Sequence, residues 1–314
     1  MKAVVVNKPG DSSVLELVDR PMPVADATHS VMKIKAFGVH RYEVLTREGG
    51  SPSVQFPRVI GVEAVGEIAA TDPASALTVG QRVITLNGGF GREFDGSNQE
   101  YALVPNEQLY SVQYQGSWVD LAQYPETFVT AWGSIKSLRL QPGQTMLVRG
   151  GTSAVGLAMI QLAHAIGLNI VATTRKSERV AQLKALGADE VVLDVDSQLQ
   201  TDQQIDGIVD LVGTATVKDS MQHLQVGGTC CVVGLLAGEW IMPDFSPFEL
   251  QNRYLTDYDS GFVDQALIDE LFTLINRDHL EIPITKVFKL TELAAAHDFV
   301  MRNPAMGEVI VTTD

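Results

Sequence analysis

The residues with the clearest chemical purpose are Gly150, Gly151, Thr152, Ser153 and Gly156, followed further along by Arg175, Lys176 and Arg179. The glycines permit a sharp turn where side chains would clash. Thr152 and Ser153 stand where a hydroxyl either caps a helix start or meets a phosphate. Free N–H groups at a helix start, together with the positive end of its dipole, make an anion site. Laid on the dinucleotide fingerprint G-x-G-x-x-G, the chain reads Gly151, Ser153 and Gly156, with serine at the middle glycine. Gly151, Thr152, Ser153, Ala154 and Val155 are therefore the expected diphosphate contacts.

The elements that must position this turn can be read around it. Met146, Leu147 and Val148 form a short apolar run suited to a strand buried on both faces. Val155, Met159, Leu162 and Ile166 recur at helical spacing, and Gly167 ends the helix. Asn169–Thr173 reads as a second strand. Strand, glycine turn, helix and strand within about 30 residues predict half of a dinucleotide-binding unit.

The end of the second strand selects the dinucleotide. NAD sites place Asp or Glu there to hold the ribose 2′-hydroxyl. Here the sequence runs Thr173, Thr174, Arg175, Lys176, with Arg179 one turn on and no carboxylate before Glu178. A carboxylate would repel a 2′-phosphate, whereas guanidinium groups bind one in a bidentate manner. The alternative, a solvated basic helix start, is unfavourable without an anionic partner. Thr174, Arg175, Lys176 and Arg179 are expected to hold a 2′-phosphate, so NADPH is the expected cofactor.

At 314 residues, 45% hydrophobic and 19% charged, the chain has the make-up of a globular protein of about two domains. It lacks an apolar run long enough to span a bilayer, and MKAVVV has no signal-peptide pattern. Cys230 and Cys231 are adjacent, so on a strand they point to opposite faces and are expected to be two small buried hydrophobes in a reducing, cytoplasmic setting. A net charge of −15 argues against nucleic acid or an anionic membrane as partner. It leaves a small molecule as the expected partner.

Short β-like runs fill the first third: Lys2–Val6, Val31–Ala36, Gly66–Ala70, Arg82–Leu86 and Glu100–Val104. From about residue 120, strands at Thr145–Arg149, Asn169–Thr173, Glu190–Leu193, Gly207–Val212 and Gly228–Val233 alternate with helices that include Ser177–Leu186 and Thr214–Leu224. Such alternation implies a doubly wound parallel sheet. Helices near Asp264–Arg277 and Leu290–Arg302 and a strand at Gly307–Val311 complete the chain.

The stretches PRVIGVEAVGEI, VGQRVITL, DGSNQEYALVP, YPETFVTAWGSI, RGGTSAVG, LKALGADEVV, VDLVG and GGTCCVVG occur in order. By them the chain resembles the medium-chain dehydrogenase/reductase superfamily, in its zinc-independent quinone oxidoreductase branch. The resemblance implies an α/β fold: a GroES-like β-rich domain over 1–119 completed by 256–314, and a Rossmann NADP-binding domain over 120–255. It also implies a cleft between the domains and a homodimer, often formed by edge strands of the Rossmann sheets.

Zinc members carry a catalytic Cys where this chain has His40, and a His where it has Val62 of Gly61-Val62-Glu63; the four-cysteine structural lobe is also missing. One His and one Glu do not make a typical three-ligand zinc site, so no metal is expected. Without metal, a proton donor or hydrogen bond must steady the developing oxyanion. The resemblance places polar site residues in Gly38–Glu43, which makes His40 and Tyr42 the catalytic candidates, each with a packing role as its alternative. Many relatives have Asn at the position of His40. Thr130 matches a threonine near the nicotinamide. Val212, Gly213, Gly234, Leu235 and Leu236 follow strand ends where such sheets bind ligands. Phe90 and Phe94 either border the substrate mouth or pack their loop. Glu308 replaces the usual Lys of G-K-I-V and is expected to add to the acidic surface.

The leading expectation is an NADPH-dependent oxidoreductase acting on quinones, enones or similar activated carbonyls. An enoyl-thioester reductase is the second, and a non-catalytic NADPH-binding structural or redox-sensing protein the third.

Overall fold

The computed structural model describes residues 1–234, 236–238, 241–302 and 306–313. Along the chain come β1 (Lys2–Val6), β2 (Leu15–Asp19), β3 (His29–Gly38), α1 (Arg41–Arg47), β4 (Glu63–Ala70), β5 (Arg82–Leu86), β6 (Tyr101–Pro105), β7 (Tyr110–Ser111) and α2 (Trp118–Leu121). There follow α3 (Pro125–Leu138), β8 (Thr145–Arg149), α4 (Ala154–Ala165), β9 (Asn169–Thr174), α5 (Val180–Ala185), β10 (Glu190–Val195), β11 (Gln198–Leu199), β12 (Ile205–Asp210), α6 (Val217–Gln222), β13 (Leu224–Val232) and β14 (Tyr254–Asp257). The chain ends with α7 (Gln265–Asp278), β15 (Ile284–Lys289), α8 (Leu293–Arg302) and β16 (Glu308–Thr312).

Two compact units emerge. The first comprises Met1–Glu126, Ser260–Thr273 and the chain from Pro283 onward; the second comprises Thr127–Asp259 and Leu274–Ile282. The first unit is the β-rich, GroES-like one. Its sheet runs β15-β16-β3-β4-β5-β7, with β6 also on β3, and β1 pairs with β2. The long β3 anchors it by pairing antiparallel with β4, β6 and β16. Met32, Ile34 and Phe37 of β3 are wholly buried with Phe90, Ala102, Val104 and Val311.

The second unit is the doubly wound one. Its sheet runs β11-β10-β9-β8-β12-β13-β14, so the earliest strand lies in the middle. β8 pairs in parallel with β9 on one side and β12 on the other, which puts the reversal of strand order at β8 and β12. Ligands bind outside the carboxyl ends of the strands at such a reversal. Met146, Leu147 and Val148 are fully buried, as a central parallel strand requires. Leu147, Ile208, Val217, Leu224 and Cys230 form its core. Both cysteines are buried and unbridged.

Several elements differ from expectation at their ends. The helix expected at Ser177–Leu186 opens as a 3₁₀ turn over Ser177–Arg179 before α5. The helix expected at Thr214–Leu224 shortens to α6, because Leu224 already belongs to β13. β12 ends at Asp210, which leaves Val212 and Gly213 in the loop beyond it. Among the described residues no helix is long and apolar enough to cross a membrane.

Candidate functional site

The glycine turn leaves β8 and enters α4 within a few residues. Gly150 has φ +89°, a backbone region that glycine occupies without penalty. Ser153 is the N-cap: its Oγ accepts from Gly156 N at 3.1 Å and donates to the Gly150 carbonyl at 2.9 Å. Of its two possible duties, this hydroxyl performs the cap. A Cβ on Gly156 would lie 2.6 Å from the Gly150 oxygen, so glycine lets the helix press against the turn. The N–H groups of Ala154 and Val155 have no acceptor among the described residues. Two unpaired donors at the positive end of a twelve-residue helix fit a diphosphate.

Neighbouring strand ends converge on this turn. Thr173 Oγ1 of β9 accepts from Gly150 N at 3.0 Å. A Cβ on Gly150 would meet Leu211 and Leu236 side chains at 3.1 and 3.3 Å, and one on Gly234 would strike the Leu211 carbonyl. Ala237 N donates to the Val212 carbonyl at 3.0 Å. Gly150, Val212, Gly213, Gly234 and Leu236 thus gather beyond the carboxyl ends of β8, β12 and β13, while Leu235 lies outside the described residues. Thr174 is buried and its Oγ1 accepts from Lys176 N at 3.1 Å, which shapes the basic corner. Arg175 and Lys176 are exposed there, with no ion-pair partner among the described residues, and Arg179 is half-buried. An exposed cationic corner at the end of β9 fits a 2′-phosphate. Thr130 is buried in α3.

The first unit holds a different chemistry. His40 caps α1 between β3 and the Gly61-Val62-Glu63 turn. Its Nε2 lies 2.8 Å from Glu63 Oε1, and its Nδ1 lies 3.9 Å from Glu308 Oε2. Glu63 also accepts from Gly38 N at 3.1 Å and Glu126 N at 2.6 Å. Burial disfavours a charged imidazole, but the carboxylates of Glu63, Glu308 and Glu126 outweigh it and hold the His40 pKa well above the usual value. Glu43 accepts from Val62 N at 3.2 Å, and burial pushes its carboxyl up to about 7.

Tyr42 stacks on His40, with ring centroids 5.3 Å apart and planes within 6°. The Arg92 guanidinium stands 5.7 Å above the Tyr42 ring. The Tyr42 hydroxyl is buried without a hydrogen-bond partner among the described residues. Burial first, then the carboxylates of Glu126, Glu43 and Glu63, raise its pKa well above the normal phenol value, so the proton stays on. The arrangement combines an imidazole biased toward its cationic form with a neutral O–H donor that no group among the described residues uses.

Two expectations are corrected. Glu308 does not join the surface: it opens β16, is 3% exposed and faces His40. β16 lies between β15, where Glu308 stands opposite Ile284, and β3, and the side chain is buried there. Phe90 is fully buried in the core of the first unit with its ring 5.8 Å from Phe94, so it packs its loop and does not border a mouth. Phe94 lines a cavity of about 560 Å³ with Pro21, Met22, Arg58 and Tyr101. Glu43, Glu126 and Glu308 had escaped sequence reasoning as partners of His40. The unusual Glu in GEVIV was the available signal. Among the described residues, no group of three or more His, Cys, Asp or Glu side chains is arranged to hold a metal.

Comparison with known proteins agrees with this architecture. Residues 26–114 match the alcohol dehydrogenase GroES-like domain, and residues 154–277 match the zinc-binding dehydrogenase family. The chain belongs to the medium-chain dehydrogenase/reductase superfamily, in its quinone oxidoreductase-like branch. It is 28% identical to the putative quinone oxidoreductase YhfP of Bacillus subtilis over 90% of this chain and 89% of that one. It is 27% identical to acryloyl-coenzyme A reductase of Metallosphaera sedula over 74% of this chain and 76% of that one. A mycobacterial protein solved complexed with NADPH superposes with TM-score 0.84 at 25% identity, covering 99% of this chain and 100% of that one. The chain is thus an oxidoreductase of a family that uses a nicotinamide cofactor.

Proposed function

We propose that this protein is an NADPH-dependent oxidoreductase that reduces quinones, enones or similar activated carbonyls without a metal. The observation that carries the reading is the Ser153-capped turn, with Ala154 and Val155 N–H groups unpaired and Arg175 and Lys176 exposed at the end of β9. The NADPH complex of the mycobacterial neighbour supports the cofactor choice. Bound NADPH supplies a hydride. Gly151–Val155 hold its diphosphate, and Thr174, Arg175, Lys176 and Arg179 its 2′-phosphate. Thr130, Val212, Gly213, Gly234, Leu235 and Leu236 serve the nicotinamide end.

Tyr42 keeps its proton and donates a hydrogen bond from its O–H to the oxygen that gains charge. His40, held cationic by Glu63 and Glu308, lends positive charge through the stacked ring. The metal-free reading rests on His40 and Val62 standing where zinc relatives carry Cys and His. Following NADPH oxidation with a panel of quinones and enones tests the proposal. Tight NADPH binding with no turnover across the panel would overturn it in favour of a non-catalytic cofactor-binding protein. The acryloyl-coenzyme A reductase relative favours a second substrate class, an enoyl thioester, and an acryloyl thioester in the same panel separates the two.

The same reading takes the working form as a cytoplasmic homodimer. β14 ends the order of the Rossmann sheet, and the exposed Tyr254 and Phe248 stand on and just before it. Sedimentation velocity reads this state directly.

A further inference from the structure

A charged network is buried next to the glycine turn, and the proposed reaction gives it no part. Arg149, the last residue of β8, is wholly inaccessible to water. Its Nε and Nη2 donate to the two carboxylate oxygens of Asp194 on β10 at 2.8 and 3.1 Å. Its Nη1 donates to the Thr216 carbonyl at 3.0 Å and to Ser220 Oγ at 2.9 Å, and lies 2.7 Å from Asp219 Oδ2. Ser220 passes the chain of bonds on, donating to Asp210 Oδ2 at 2.7 Å. Asp210 ends β12 and accepts from Val212 N at 2.9 Å, Gly213 N at 3.0 Å and Thr216 Oγ1 at 2.9 Å.

The guanidinium therefore roots the turn after β8, and the Asp210 carboxylate shapes the loop after β12. Two residues of the loop and helix that follow β12 join them across the place where strand order reverses: Ser220 through its hydroxyl, and Thr216 through its carbonyl and Oγ1. Packing alone would be served by apolar side chains, because burying ions costs free energy unless every group is matched. Such a network fixes geometry instead, holding backbone donors in place before a ligand arrives.

We propose that Arg149, Ser220 and Asp210 are positioning residues that hold the Gly150–Val155 turn and the Val212–Gly213 loop in register for the cofactor. This rests on the reading that NADPH binds at that turn. The test is the NADPH dissociation constant, measured by fluorescence titration on full-length protein, together with KM and kcat and the melting temperature. Ser220→Ala cuts the hydroxyl link without removing a charge and leaves the Thr216 link in place. It should weaken NADPH binding about threefold to tenfold, the worth of one hydrogen bond, and raise the NADPH KM in step while kcat changes less than about twofold. Asp210→Asn, which loses the charge, should weaken binding at least as much. If Asp210→Asn does not fold, Ser220→Ala decides alone. Unchanged NADPH affinity in folded Ser220→Ala, whatever its melting temperature, would overturn the proposal. Wild-type protein that bound neither NADPH nor NADH would instead overturn the cofactor reading beneath it.

Discussion

His40 Nε2 and Glu63 Oε1 lie 2.8 Å apart with 10% and 2% of their side chains exposed, so a buried imidazole is paired with a buried carboxylate. Glu308 faces its other nitrogen, and Glu43 stands on the same helix. The pair keeps a proton that an isolated histidine would surrender near neutral pH.

Activity should therefore hold steady through neutral pH and fall on the alkaline side as His40 loses its proton. Glu63→Gln removes the nearest negative charge and should move that fall down by about 1–3 pH units. Stability follows the same sign. A folded pKa raised above the unfolded value gives stabilisation that is complete below the unfolded pKa and lost as pH rises through the folded one. The Glu43 carboxyl, raised to about 7, is more protonated in the folded state and also makes stability fall as pH rises from about 4.5 through 7. Urea midpoints across pH 4.5 to 9 check both.

Tyr42→Phe deletes only the buried hydroxyl, which has no hydrogen-bond partner among the described residues. An unsatisfied buried hydroxyl does not stabilise a fold, so the melting temperature should stay level or rise slightly. Turnover should fall by about 100-fold if the O–H steadies the developing oxyanion by a hydrogen bond, with little change in KM for NADPH. Turnover within about twofold of wild type would remove Tyr42 from the chemistry.

His297 on α8 answers acid in the opposite sense. It is wholly buried, and its Nδ1 lies 3.5 Å from Arg47 Nη1. Burial and the Arg47 charge push its pKa down to about 3. A folded pKa depressed below the unfolded value means that stability is lost as pH falls from about 6.5 toward 3, at up to about 1.4 kcal/mol per pH unit. In His297→Leu that part of the slope should vanish, as denaturant titrations between pH 7 and 4 would show.

Gly156→Ala places a methyl 2.6 Å from the Gly150 oxygen and 2.8 Å from the Gly151 Cα. Both obstacles are backbone, so α4 must move away from the turn. NADPH affinity should drop at least about tenfold, and the melting temperature should fall by several degrees. Isothermal titration and a thermal melt measure the two effects.

How much of this could be read from the residues follows from the range of the interactions. Met146–Thr173 displays its strand, turn, helix and strand through local period and glycine placement, and β8, α4 and β9 form there. The environment of His40 was not readable, because Glu63 lies 23 positions away and Glu308 at the far end of the chain. The pairing of β16 with β15 and β3 buries Glu308, and strand register is not written in local spacing. The role of Arg149 was hidden likewise: a charged residue closing an apolar strand was visible, but its partners Asp194, Asp210 and Asp219 come from three later elements. Phe90 shows the opposite case, a residue whose aromatic character suits a binding site and a core equally well.

In the proposed function, the corner formed by Arg175, Lys176 and Arg179 selects NADPH. Its most direct test compares kcat/KM for NADPH and NADH with one quinone, in wild-type protein and in the Arg175→Ala/Arg179→Ala double variant. One charge-assisted contact of ~1.5–3 kcal/mol predicts an NADPH preference on the order of 10–100-fold in the wild type, erased in the double variant. Equal use of both cofactors by the wild type, or discrimination that survives the double substitution, would contradict the account.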